Sequence, residues 1–149
     1  MKKLIKIFVI MLVTLSLFGC ADPRDTKAQV TDKNGNKTEL SANEIVELYE
    51  KDHKKFVDTY QLYGTAKISG TVEKIEGGSK LRTIYLKEGW KICVSSTEHP
   101  ETELLVEGDK IVAKGGMQLP GKDKYMEIGI ISQYRDAPYN DDVELRILD

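Results

Sequence analysis

The chain has 149 residues, which is long enough for one folded domain with a hydrophobic core and too short for two. Hydrophobic residues make up 40% and charged residues 31%, a composition that is typical of a globular protein and excludes a largely disordered one. The formal net charge is −2, and it becomes −5 without the three N-terminal lysines Lys2, Lys3 and Lys6, because 19 basic and 24 acidic side chains then remain. An acidic domain repels polyanions, so nucleic acid is disfavoured as a partner.

The first twenty residues have the order of parts found in an export signal. Residues 1–6 are basic, residues 7–18 form an uncharged apolar run, and polar residues begin directly after Cys20. This run has 12 residues. A membrane-spanning helix needs about 20 apolar residues, so the run favours a signal segment over a membrane span.

The end of the apolar run, Leu17-Phe18-Gly19-Cys20, resembles the lipobox of bacterial lipoproteins, although Phe18 is bulkier than the residue usually found there. The resemblance implies removal of a signal peptide, residues 1–19, and attachment of diacylglycerol to Cys20. It also implies a protein held on the cell membrane by its lipid and facing outside the cytoplasm. Two alternatives are an ordinary secretory signal with an incidental cysteine and a short anchor helix that is never cut.

Residues 20–40 are predicted to form a tether and a short hairpin. The segment from Ala21 to Ala28 is polar and contains Pro23, which is typical of a flexible linker. Further on, Asn34-Gly35 lies between two β-prone flanks, a pattern that predicts a hairpin with a type I′ turn.

The main domain, residues 41–136, is predicted to open with a helix. Ser41 and Glu44 have the spacing of a capping box. Apolar and aromatic residues then recur at spacings of three and four, with His53 on the same stripe, and predict one amphipathic helix from about residue 42 to residue 59.

From Gly64 onward the pattern changes to alternation and predicts five strands. The first strand is long and contains Gly70, which favours a bulge or a sharp bend at that position. The second and third strands are joined by a tight turn at Glu88-Gly89, and two further strands follow after a loop. In residues 137–149, alternation of apolar residues favours an added sixth strand, whereas the acidic pair and the chain end favour fraying.

Three strands in a meander, a break and two more strands predict a mainly-β protein built on a five-stranded OB-fold barrel, a small Greek-key barrel. The long first strand fits this fold because it must serve both sheets. The chain resembles the tRNA-anticodon-like OB-fold domains of many bacterial lipoproteins. The resemblance covers roughly residues 42–135 and depends on the leading helix ending at Tyr60, on the strand at residues 67–72, and on residues 105–115. It implies a fold and supplies no catalytic residues.

Several motifs approach a known site without completing it. Residues 116–122 have the spacing of a phosphate-binding loop, but Asp123 stands where serine or threonine must bind magnesium. Asp32 opens a segment with some features of a calcium loop, but position twelve is Asn43 and lacks the bidentate glutamate. His53 and His99 lie in different elements without the spacing of zinc ligands.

The sequence therefore predicts no catalytic residues, no metal and no cofactor. Cys93 has no evident histidine and asparagine partners, and with Cys20 acylated it has no disulfide partner either, so it is interpreted as a small structural side chain.

OB-folds usually bind ligands across their second and third strands. If Ile84, Leu86, Ile92 and Val94 face inward, the outer surface presents Tyr85, Lys87, Lys91 and Cys93, with Lys67 expected nearby. An aromatic platform beside lysines suits a base or a sugar ring. A solvated strand face whose lysines discourage edge association is the alternative.

The resulting function hypothesis is a non-enzymatic, membrane-anchored binding module for a glycan, a peptide or a protein of the cell envelope, with Tyr85, Lys87 and Lys91 as the candidate ligand-binding residues. Two rivals stay open. One is a structural envelope protein without a small ligand, and the other is a binder of single-stranded nucleic acid.

Overall fold

The computed structural model describes residues 21–60, 64–130 and 144–149. The leader and Cys20 lie outside the described residues, as does most of the predicted tail. Eight strands and two α-helices are formed by the described residues, together with 3-10 turns at Pro23–Asp25 and Pro100–Leu104. The strands are β1 (Ala28–Thr31), β2 (Lys37–Leu40), β3 (Thr65–Gly77), β4 (Leu81–Leu86), β5 (Trp90–Ser95), β6 (Lys110–Met117), β7 (Met126–Ile130) and β8 (Glu144–Leu148), and the helices are α1 (Ala42–Lys51) and α2 (His53–Tyr60).

Strands β3 to β7 form a closed five-stranded barrel in the order β3-β4-β5-β7-β6, with β6 returning to β3. Strand β3 closes the barrel because its first half pairs with β6 and its second half pairs with β4. Strands β5 and β7 are parallel, whereas the other pairs are antiparallel. The prediction of a mainly-β protein with an OB-fold-like barrel is therefore confirmed.

Gly70 lies where β3 passes from one pairing to the other. A Cβ at this position would come within 2.4 Å of Glu88 Oε2 and 2.9 Å of Leu86 Cδ1, so these two side chains would have to shift if residue 70 carried one. The predicted bulge is displaced along the chain, because the register shift in the β3–β4 pairing falls between Val72 and Lys74. Glycine permits the close contact, and the bulge supplies the bend.

The core fills the barrel and is sealed on one side by α1. The large side chains with less than 2% exposure come from α1, β1 and the barrel strands: Trp90, Ile45, Ile84, Leu86, Ile92, Ile111, Met126, Ile128, Ile130, Val30, Val72 and Val94. The capping box that begins α1 is confirmed, since Ser41 Oγ accepts from the Glu44 amide at 3.3 Å and Glu44 Oε2 accepts from the Ser41 amide at 2.7 Å.

The prediction of one continuous helix from about residue 42 to 59 is wrong, because the helix breaks at Asp52. Its backbone leaves the helical region, with φ −151° and ψ 81°, and its carboxylate accepts from the Lys55 amide at 2.9 Å. An aspartate side chain at the N-cap accepts a hydrogen bond from an amide of the first turn and so stabilises the start of a helix. A new helix, α2, therefore begins after Asp52. The predicted stripe nevertheless continues across the break, where the ring centroids of Tyr49 and Phe56 are 5.4 Å apart.

The predicted hairpin is present as β1 and β2, and β1 extends the sheet by pairing with β3. Its turn is not of type I′, because that turn requires positive φ at both Asn34 and Gly35 and only Gly35 has it, at +85°. Hydrogen bonds accepted by Asp32 hold the turn in its observed conformation instead. Its carboxylate accepts from the amides of Asn34 and Asn36, and its carbonyl accepts from the Gly35 amide.

Both ends of the described chain are attached to the barrel. The N-terminal segment, predicted to be a flexible tether, forms the 3-10 turn Pro23–Asp25 and lies against α1 and the β6–β7 loop through Arg24. Of the two alternatives for the tail, the added strand holds for Glu144–Leu148, which pairs with β6 as β8.

Candidate functional site

The register of four strands brings a row of polar side chains together on the outside of the barrel. Lys74 pairs with Tyr85, Tyr85 with Lys91, and Lys91 with Glu127. Since side chains alternate along a strand, the neighbours of this row point inward. Ile84, Leu86, Ile92 and Val94 are all fully buried, as predicted. This row, together with Glu73, Asp123 and Tyr125, forms the outer face.

Tyr85 lies on the outer face, but its ring is not an open platform. The residue is only 9% exposed, because Lys74 Nζ lies 4.1 Å from the ring centroid and the Tyr125 ring packs edge-on at 5.1 Å. Burial and the neighbouring Glu76 carboxylate raise the pKa of the Tyr85 phenol. The expectation that Tyr85 offers a free aromatic surface for stacking is therefore wrong, and its ring supports the residues that cover it.

Tyr125 supplies the half-exposed aromatic ring that Tyr85 was expected to provide. Its hydroxyl donates to Glu73 Oε2 at 2.5 Å, and the Arg24 guanidinium carbon lies 5.1 Å from its ring centroid. The hydrogen bond to Glu73, together with burial, raises the pKa of Tyr125 to about 12. The phenol is therefore neutral at physiological pH and its position is fixed from two sides.

Lys91 is held within the outer face rather than presented to solvent. Its side chain is 12% exposed, and Nζ lies 3.1 Å from Asp123 Oδ2 and 3.4 Å from Glu127 Oε2. Burial alone would lower the pKa of Lys91, but the hydrogen bond and charge of Asp123, with those of Glu127, raise it. The ammonium group is therefore charged and already paired with two carboxylates.

The other residues predicted for the site are not part of this row. Lys87 is exposed beside the β4–β5 turn, where its amide donates to the Thr71 carbonyl. Lys67 is paired with Glu144 at 3.1 Å and lies seven residues from Lys74 along β3, or roughly 23 Å at the rise of a strand. Cys93 is half-buried on β5, and burial raises the pKa of its thiol, which keeps it protonated.

The motifs that approached known sites have structural roles in the described chain. Gly116 and Met117 belong to β6, and the residues that follow form the loop to β7, where Asp123 binds Lys91. His53 packs against Tyr49, whereas the His99 ring lies 2.9 Å from Glu101. Among residues 21–60, 64–130 and 144–149, no group of three or more histidine, cysteine and acidic side chains could hold a metal ion.

The described residues form at least two grooves away from the outer face. One, of about 410 Å³, follows the junction of α1 and α2 and is lined by Leu48, Phe56 and Tyr60 with neighbouring lysines. The other, of about 390 Å³, lies beside the N-terminal segment and is lined by Lys27, Gly70, Glu88 and Lys110 with three hydroxyl side chains. Neither groove is predicted from the sequence. The first lies at the helix break that the sequence pattern did not predict, and the second is made by segments distant in the chain.

Within the described parts of the chain, no helix is long and apolar enough to cross a membrane. No known protein family matches this chain, and no curated protein is significantly similar to it.

Proposed function

We propose that the protein is an extracytoplasmic lipoprotein, anchored by diacylglycerol on Cys20, whose OB-fold-like barrel is a non-enzymatic binding module. Its partner is a glycan, a peptide or a protein of the cell envelope, bound at the outer face. The leader and lipobox support the location, and the resemblance to the OB-fold domains of lipoproteins is consistent with it. The observation that carries the binding proposal is the half-exposed Tyr125 ring surrounded by ordered carboxylates.

The charges of the outer face favour a ligand that donates hydrogen bonds. Lys91 is paired with carboxylates on two sides, and Glu73 and Asp123 remain exposed. Exposed carboxylates accept hydrogen bonds from sugar hydroxyls and from basic peptide side chains, and they repel phosphates. A tyrosine ring adds an apolar surface on which a sugar ring or an aliphatic side chain packs. Glycans and basic peptides therefore fit this face better than a nucleic acid does.

The test uses the domain from residue 21 onward, with an array of amino-sugar oligosaccharides and a set of lysine-rich peptides as probes. Tyr125→Ala should abolish the binding of whichever probe is retained, whereas Tyr125→Phe should preserve most of it because the ring remains. Lys80→Ala, at the exposed β3–β4 turn, is the matched control and should bind as the unchanged domain does. Binding that is unaffected by Tyr125→Ala would place the ligand elsewhere.

A structural role without a small ligand is the second candidate, and exposed apolar side chains favour it. Leu104 is 80% exposed and Val106 is 61% exposed, both between β5 and β6. Neighbouring exposed apolar side chains are suited to packing against another protein in a permanent assembly. Stoichiometric co-purification with one envelope component, lost in Leu104→Ser/Val106→Ser and retained in Tyr125→Ala, would favour this role over the binding module.

The salt dependence of DNA binding tests the nucleic-acid alternative. Binding of single-stranded DNA to the domain should weaken steeply as salt is raised if this role is correct. A signal that is absent, or that does not respond to salt, removes it.

A further inference from the structure

The segment that follows the proposed lipid anchor is fixed to the barrel by several contacts. The Arg24 side chain donates to Asn43 Oδ1 at 3.1 Å through Nε and to the Lys124 carbonyl through Nη2. Asn43 in turn donates to Asp25 Oδ1 at 2.8 Å and to Asp22 Oδ2 at 3.3 Å. Asp22 also caps the 3-10 turn by accepting from the Arg24 amide at 2.9 Å. This arrangement is called the N-terminal clamp.

The β4–β5 turn closes over the same clamp. Gly89 has a φ of +81°, and a Cβ added there would come within 3.0 Å of Arg24 Nε and 2.9 Å of Ala42 Cβ. Arg24 is therefore enclosed by α1, by the β6–β7 loop and by this turn. Side-chain hydrogen bonds to a charged guanidinium are among the stronger polar contacts in proteins, so the clamp resists release.

The clamp leaves almost no free chain between the barrel and Cys20. Ala21 is the one residue that separates Cys20 from Asp22. Two residue steps span at most about 7 Å even when the backbone is fully extended. A tether of this length cannot lift the domain away from a bilayer, in contrast to a linker of many residues.

We infer that the N-terminal clamp holds one end of the barrel against the surface of the bilayer, so that the module has a defined orientation on its membrane. This inference rests on the proposed acylation of Cys20. The end in question comprises Pro23–Asp25, the β4–β5 turn and the side chains of Lys122 and Lys124 on the β6–β7 loop. The opposite end carries the β3–β4 turn, roughly 20 Å away along β4 at the rise of a strand.

Exposed lysines lie beside the clamp, at the end proposed to face the bilayer. Lys87 and Lys122 are exposed there, and Lys124 is exposed and paired with Glu50, with 3.5 Å between Nζ and Oε1. The acidic side chains at this end also have protein partners: Glu88 accepts from the Thr71 amide at 2.9 Å, Asp123 pairs with Lys91, and Asp22 and Asp25 accept from Asn43. Exposed lysines are attracted to the negative potential of anionic headgroups, which adds to the restraint from the lipid.

The orientation can be measured with the full acylated chain in vesicles of phosphatidylcholine and phosphatidylglycerol. In a Cys93→Ser background, a fluorophore is placed at Lys122→Cys, beside the clamp, or at Ser79→Cys, on the β3–β4 turn. Headgroup spin-labelled lipid should then quench the fluorophore at position 122 several-fold more strongly than the one at position 79. Equal quenching, or stronger quenching at position 79, in a protein that floats with the vesicles would overturn this inference alone.

A protein that does not float with vesicles would instead contradict the lipid anchor itself, and with it both proposals. Arg24→Ala removes the centre of the clamp and should make the quenching at the two positions equal while the protein still floats. Arg146→Ala is the matched control, because it removes an arginine from β8 without touching the clamp, and it should keep the difference. If Arg24→Ala kept the full difference as well, the clamp would not be what sets the orientation.

Discussion

Replacement of Tyr85 by alanine tests whether this ring is part of the packed structure or part of an open binding surface. The residue is 9% exposed, and Lys74 and Tyr125 cover the ring from outside. Removing the ring withdraws about 100 Å² of buried apolar area, which at about 25 cal/mol per Å² corresponds to about 2.5 kcal/mol. Loss of the edge-on contact with Tyr125 adds about 0.5 kcal/mol, for a total of about 3 kcal/mol.

Urea and thermal unfolding of the domain from residue 21 onward would measure this loss. For a domain of this size, about 3 kcal/mol corresponds to a fall in Tm of about 10 °C. Lys87→Ala is the matched control, because Lys87 was predicted for the same surface and is exposed, and it should change the free energy of unfolding by less than about 0.5 kcal/mol. A Tyr85→Ala domain with the Tm of the unchanged protein would refute the packing described for this face.

Three further predictions concern Gly70, the cap of α1 and Tyr125. Gly70→Ala should lower the free energy of unfolding by about 1–2 kcal/mol in urea titrations, because the new Cβ displaces Glu88 from the Thr71 amide. Gly78→Ala is the control and should be near neutral, because no atom lies within 4 Å of a Cβ added there. Ser41→Ala should cost about 1 kcal/mol through loss of the helix N-cap, and an unchanged midpoint would argue against the capping box. The pKa of Tyr125 is raised from 10.0 to about 12 in the folded protein, so the stability that its neutral phenol contributes is complete below pH 10 and is lost as the pH rises through 12. Tyr125→Phe should therefore flatten the alkaline fall in Tm. Curves of Tm against pH that run parallel for the variant and the unchanged domain would contradict this.

The barrel could be predicted from the sequence because alternation and glycine placement are local signals. Alternation around Ile84 and Ile92 assigns their side chains to the interior, and the structure buries both completely. Gly70 indicated the strand that serves both sheets, although the bulge itself falls at Glu73. Capping residues likewise determine where a helix begins, as Ser41 does for α1.

The candidate site could be predicted only in part, because alternation shows which way a side chain points and not what covers it. Tyr85 does point outward, but its cover comes from Tyr125, which lies forty residues later in the chain. Arg24 was assigned to a flexible linker for the same reason, since its partners Asn43 and Lys124 are 19 and 100 residues away. The break at Asp52 had a local signal, because aspartate is a frequent N-cap residue, but the apolar stripe continues through it.

Both proposals depend on a lipid on Cys20 that anchors the module outside the cytoplasm. Intact-mass spectrometry of the native protein, extracted from cell membranes with detergent, measures whether this lipid is present. The mature chain should begin at Cys20 and have the added mass of diacylglycerol on that residue. A chain that retains residues 1–19, or one that begins at Cys20 with an unmodified thiol, would contradict it.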